Sequence, residues 1–119
     1  MKTDLPERSF AFARRVVLLC RGLDERPGVP RTLASQLLRS GTSIGANVEE
    51  AQASQSTADF ISKYSIACKE ARETHYWLRL LDASDLLPGV EMTGHMANID
   101  ELVRLLTAIT RSVKESLTQ

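Results

Sequence analysis

RSGTSIGANVEEA, residues 39 to 51, sets two glycines one helical turn apart among small side chains, then closes on an asparagine and two glutamates. Whether it is loop or helix decides the fold. As a loop it would have to cradle a phosphate, yet it matches neither GxxxxGK[ST] nor GxGxxG, and no strand pattern precedes it. As a helix it has a period. Leu33, Leu37, Ser40, Ile44, Val48 and Ala51 recur at three- and four-residue intervals straight through Gly41 and Gly45. An interior glycine costs a helix about 1 kcal/mol against alanine, so two on one face imply a neighbouring helix that comes close. The spacing predicts a helix over residues 32–54.

The pattern continues on both sides. Upstream, Asp4 can cap, Pro6 suits a first turn and Glu7 completes a capping-box spacing, which opens a helix over 5–22. Its apolar face is broad: Phe10, Ala13, Val17 and Cys20 form one stripe, and Phe12, Val16, Leu19 and Leu23 its neighbour. Gly22 and the run Pro27-Gly28-Val29-Pro30 end it. Downstream, Ser56-x-x-Asp59 offers an N-terminus for a helix over 58–84, in which Phe60, Tyr64, Ala67, Ala71, Thr74, Leu78 and Leu81 keep the four-three alternation of left-handed bundle packing. Leu87-Pro88-Gly89 turns the chain, and Met96, Ile99, Leu102, Leu106, Ile109, Val113 and Leu117 mark a last helix over 92–117. No alternating β-branched run competes. The expectation is an all-α fold, one domain over 1–119, built as an antiparallel up-down-up-down four-helix bundle.

Composition narrows the function classes. Net charge is zero but uneven: residues 1–48 carry eight Lys and Arg against four acids, and the remainder seven against eleven. The strong positive balance of many nucleic-acid binders is absent. Cys20 and Cys68 stand far apart without a CxxC pair, as free thiols of a reducing compartment would. No segment has the apolar length of a membrane span, and MKTDLPERSF lacks the apolar run of a signal peptide. A cytoplasmic protein without membrane partners is expected.

The polar residues of the two central helices can be paired by height in an antiparallel hairpin. This sets Arg39 near Glu73, Ser43 near Lys69, Asn47 near Ser65 and Glu49 near Lys63. A carboxylate-bridged dimetal site would use Glu49, Glu50, Glu70, Glu73 and His75, but bundles that hold one need Glu-x-x-His on two helices. Here Glu73 and His75 are two apart and point to different faces, so no metal site is expected. A nucleophile built on Ser40, Ser43 or Cys68 with His75 lacks an oxyanion hole, because helix-interior serines offer no free backbone N–H groups. No catalytic residue is assigned. Gly41, Gly45 and their small neighbours are expected to pack closely, and Asn47 to fix register through a buried hydrogen bond.

These residues resemble the small bacterial four-helix-bundle proteins named for open reading frames in intervening sequences of 23S ribosomal RNA genes. The pattern of that family reads here as Arg39, Ser43-Ile44-Gly45-Ala46-Asn47-Val48-Glu49-Glu50, Phe60-Ile61, Ala67-Cys68-Lys69-Glu70, and Glu73 through Leu78, in an overall match spanning residues 8–117. The resemblance implies a ring-shaped homopentamer with no enzymatic activity and no cofactor. It also implies a distant similarity to the accessory protein of diversity-generating retroelements, a pentameric barrel that binds nucleic acid and a reverse transcriptase. Self-assembly suits the small size as well, since a short chain gains by pooling apolar faces. The rival reading is a nucleic-acid-binding accessory protein that uses Arg8, Arg15 and Arg26 of the first helical region, repeated around a ring; the neutral net charge makes any such binding weak.

Overall fold

Proline and serine punctuate the chain. The computed structural model describes residues 3–118, and in it α1 (Leu5–Asp24), α2 (Val29–Gln52), α3 (Thr57–Ala83) and α4 (Thr93–Leu117) are joined by short turns. Pro30 starts α2 rather than ending α1. It sits in the first turn, where a missing N–H is harmless, so α2 begins three residues earlier than the periodicity alone places it. Gly28 precedes it at φ 92°, a conformation that glycine adopts freely. Ser56 caps α3 as its spacing predicts, its hydroxyl accepting from the Asp59 N–H at 3.0 Å. Asp4 does not cap α1. Its carboxylate accepts instead from Arg8 Nε at 2.6 Å. At α4 the Glu91 carboxylate accepts from the Thr93 N–H at 3.0 Å and from its hydroxyl at 2.7 Å, and these bonds hold the Glu91 carboxyl below its ordinary pKa.

The helices pack in cyclic order, α2 most extensively with α3 and α1, and α1 least with α4. The result is a rod of 50 × 22 × 20 Å, the four-helix arrangement that the sequence predicts. Its axis holds Leu37, Ile44 and Val48 of α2, Tyr64, Leu78 and Leu81 of α3, and Ile99 and Leu106 of α4, all fully buried. One contiguous apolar core of this kind is what the broad stripes demand. No helix among the described residues is long and apolar enough to cross a membrane.

On α1 the core takes Leu5, Ser9, Phe12, Val16, Cys20 and Leu23. Phe10 and Val17, expected on an inward stripe, lie outside it and are 69% and 40% exposed. Both stripes of α1 are apolar, but only one faces α2 and α4, and the glycines of α2 select it. A Cβ on Gly41 would stand 2.9 Å from both Cγ atoms of Val16, and one on Gly45 would touch the Ser9 backbone oxygen at 3.4 Å. Ser9 is fully buried there, its hydroxyl donating to the Leu5 carbonyl at 2.7 Å. The small-residue face of α2 therefore receives α1, not α3.

Candidate functional site

The other flank of α2 carries the ion pairs. Arg39 reaches across to α3, donating from Nη1 to Glu70 Oε2 at 3.3 Å and from Nη2 to Glu73 Oε2. Glu73 also accepts from Trp77 Nε1 at 2.9 Å, so one carboxylate is shared by a guanidinium and an indole. Below this cluster the fully buried Thr74 hydroxyl donates to the Glu70 carbonyl at 2.8 Å and lies within hydrogen-bond distance of Ser40 Oγ, at 2.9 Å. Glu70 is a carboxylate only 8% exposed, and Arg39 is its cation. Such a group is tolerated in a core only when it is paired.

The remaining members of the expected motif fall into place unevenly. Asn47 is half-buried and donates from Nδ2 to the Ser43 carbonyl at 2.9 Å and to its hydroxyl at 3.1 Å, within its own helix. It makes no hydrogen bond to another helix among the described residues. Lys63 pairs with Glu50 at 2.8 Å rather than with Glu49, because the angular position on the helix outweighs height along it. Glu49 is exposed. Gly41 and Gly45 face α1, so the motif is split between two seams of the same helix. Sequence reasoning missed Trp77 and Ser9, and placed Thr74 on the inward stripe without its polar role. The i, i+4 spacing of Glu73 and Trp77 was the available signal for the first of these.

His75 points away from Glu73, as their two-residue separation requires, and its Nε2 lies 3.0 Å from Asp100 Oδ1 on α4. No group of three or more possible metal-ligating side chains occurs among the described residues. Both cysteines are free and buried, and burial, with the Asp24 charge adding to it, pushes the Cys20 thiol up to about 11. The arginines proposed as nucleic-acid contacts are mostly engaged. Arg8 is held by Asp4 and by Glu101 of α4, and Arg26 donates from Nη2 to the Leu86 carbonyl at 2.8 Å, tying the two turns at one end of the rod. Arg15 lies over the start of α4, near Gly94 and His95.

The family described as 23S rRNA-intervening sequence protein matches residues 1–108 of this chain. The chain belongs to that family. A solved structure supports the assignment, a protein of unknown function from the S23 ribosomal protein family of Bacteroides thetaiotaomicron. It is 41% identical, with a TM-score of 0.81 over 89% of this chain and 97% of that one. No curated protein matches the chain. Within the 23S rRNA-intervening sequence family, then, this chain combines a closed polar cluster at the α2–α3 seam with an apolar strip at the α1–α2 seam. On that strip Val17 and Leu38 flank a shallow groove over Cys20 and Ala34, and Phe10 lies two turns from Val17 on the same side of α1.

Proposed function

We propose that this protein is a non-catalytic scaffold that assembles with copies of itself, most simply as a ring-shaped homopentamer in the cytoplasm. The observation that carries the reading is the exposed strip at the α1–α2 seam, where Phe10 is 69% exposed and Val17 and Leu38 each 40%. Isolated apolar side chains on a surface need no account, but an aromatic and two aliphatics aligned along one seam favour burial against a partner. A second copy is the partner of matching chemistry. The strip is apolar, the chain has no net charge to oppose association, and a bundle of this size gains by sharing apolar surface. The resemblance to ring-forming bundles supplies the number five. The polar cluster supports a structural rather than a catalytic role, because Arg39, Glu70, Glu73, Trp77, Thr74 and Ser40 bond chiefly to one another.

In this reading nucleic acid binds weakly at most and without sequence preference, since Arg8 and Arg26 already have partners within the chain. The test is a pair of surface substitutions, Phe10→Glu and Leu38→Glu, read by light scattering and by circular dichroism. Loss of the oligomer with helicity retained supports the scaffold reading. An unchanged mass in both variants overturns this choice of interface.

A further inference from the structure

A second groove runs along the opposite seam, between α3 and α4, and its chemistry is unlike that of the apolar strip. Arg72 of α3, toward one end, and Arg111 and Lys114 of α4, toward the other, line a hollow of about 360 Å³, with Glu115 the single carboxylate on its lining. None of these three cations forms an ion pair among the described residues. Arg72 lacks one because its neighbours on α3, Glu70 and Glu73, turn to Arg39 on the far side of that helix. Between the cations lie the hydroxyls of Ser65, Thr107 and Thr110. Thr107 Oγ1 is 3.3 Å from Cys68 Sγ, while Thr110 is 92% buried and its hydroxyl has no hydrogen-bond partner among the described residues. A buried hydroxyl left without a partner is unfavourable, and the Thr110 side chain would have to turn toward the groove to meet a ligand oxygen.

We propose that this groove binds a small phosphorylated molecule by its phosphoryl group. Three cations against one carboxylate leave an excess of two positive charges, which matches a phosphate monoester dianion. Guanidinium forks recognise phosphate oxygens through paired N–H donors, lysine adds a point charge, and hydroxyls fill the remaining oxygen sites. The volume falls in the range of small-ligand sites and exceeds that of a bare phosphate, leaving room for a small substituent. No aromatic side chain lines the groove, so it offers no platform for stacking a base, and recognition rests on the phosphoryl group. An adjoining hollow shares Arg72 and adds Arg104, extending the positive seam toward the His75–Asp100 pair.

The experiment is calorimetric titration of the full chain with inorganic pyrophosphate and with inorganic phosphate, at constant ionic strength near about 0.15 M so that general screening is the same in every arm. Saturable binding of one pyrophosphate per chain is expected, weakened about tenfold or more by Arg111→Gln and by Arg72→Gln, and less by Thr110→Val. Arg8→Gln, at the α1–α4 seam outside the groove, leaves it unchanged. Both groove arginines are exposed, so folding of their variants is checked by circular dichroism, and the wild-type titration stands without them. Absence of saturable binding in the wild type overturns the proposal, as does equal affinity in the Arg111→Gln and Arg72→Gln proteins. Tighter binding of a single-stranded RNA than of pyrophosphate, lost with the same substitutions, overturns the small-ligand assignment.

Discussion

Gly41 and Gly45 look equivalent in the sequence, and the packing makes them different. A methyl group on Gly41 meets both branches of Val16 at 2.9 Å, whereas one on Gly45 reaches only ordinary contact with the Ser9 backbone. Gly41→Ala is therefore expected to destabilise the fold, overpacking of this kind costing about 1–3 kcal/mol. Gly45→Ala gains up to about 1 kcal/mol of helix propensity and should leave the protein as stable or slightly more so. Urea unfolding of both variants decides the matter, and equal losses would refute the assignment of Val16 as the contact. The close approach was legible from the glycine spacing, but its partner was not, because nothing in the string says that Ser9 and Val16 rather than an α3 face lie opposite. Arg39 was legible for the converse reason: height pairing brings it to Glu73, and one turn further back stands Glu70. Arg39→Ala leaves Glu70 buried without its cation, with an expected loss of about 1–3 kcal/mol, reduced from the fully buried case because Arg39 itself is half exposed. Arg39→Lys recovers only part of it, since one ammonium cannot span two carboxylates as a fork does.

At the scale of the element, α1 shows where periodicity stops being informative. Two adjacent stripes are apolar, and both satisfy a three-four repeat, so the string cannot choose between Phe10 with Val17 and Phe12 with Val16. The choice is made by α2, whose glycines accept Val16 and Ser9. The ends of the helices were legible wherever a side chain caps, as at Ser56, and illegible where proline could either stop or start a helix, as at Pro30. The end of α3 offers a direct check. Leu86 N–H bonds the Leu81 carbonyl at 3.1 Å with Asp85 between them at φ 56°, a left-handed helix stop in a residue other than glycine. Asp85→Gly relieves that conformation and should stabilise by about 0.5–1 kcal/mol, seen as a higher midpoint of thermal unfolding; a lower midpoint contradicts this account of the turn. The start of α4 gives a pH effect. Burial, and then the charge of Arg15, hold His95 below the ordinary histidine value of 6.5. The unfolded chain then takes up a proton before the folded one does, so stability falls as pH drops from 6.5 toward the lower folded-state value. His95→Gln should remove that share of the acid sensitivity, measured as a smaller difference between denaturation midpoints at about pH 7 and about pH 5.

For the whole molecule, the division of surfaces is the result that matters. A polar cluster closed on itself occupies the α2–α3 seam, an apolar strip the α1–α2 seam, and a positive groove the α3–α4 seam. The bundle was legible because four amphipathic runs separated by short turns leave few alternatives. The surfaces were much less so. Counting charge along the chain makes the second half acidic and directs attention to the arginines of α1, but folding turns Glu70 and Glu73 of α3 to Arg39 and leaves Arg104, Arg111 and Lys114 of α4 without an ion pair among the described residues. The exposed strip was hidden for a related reason, since Phe10 and Val17 read as core until α2 is placed. Self-assembly through that strip is the central claim. Light scattering of the purified chain at micromolar concentration tests it most directly: a mass about five times the 13.2 kDa of one chain is expected, held on dilution, and a mass near 13.2 kDa would contradict it.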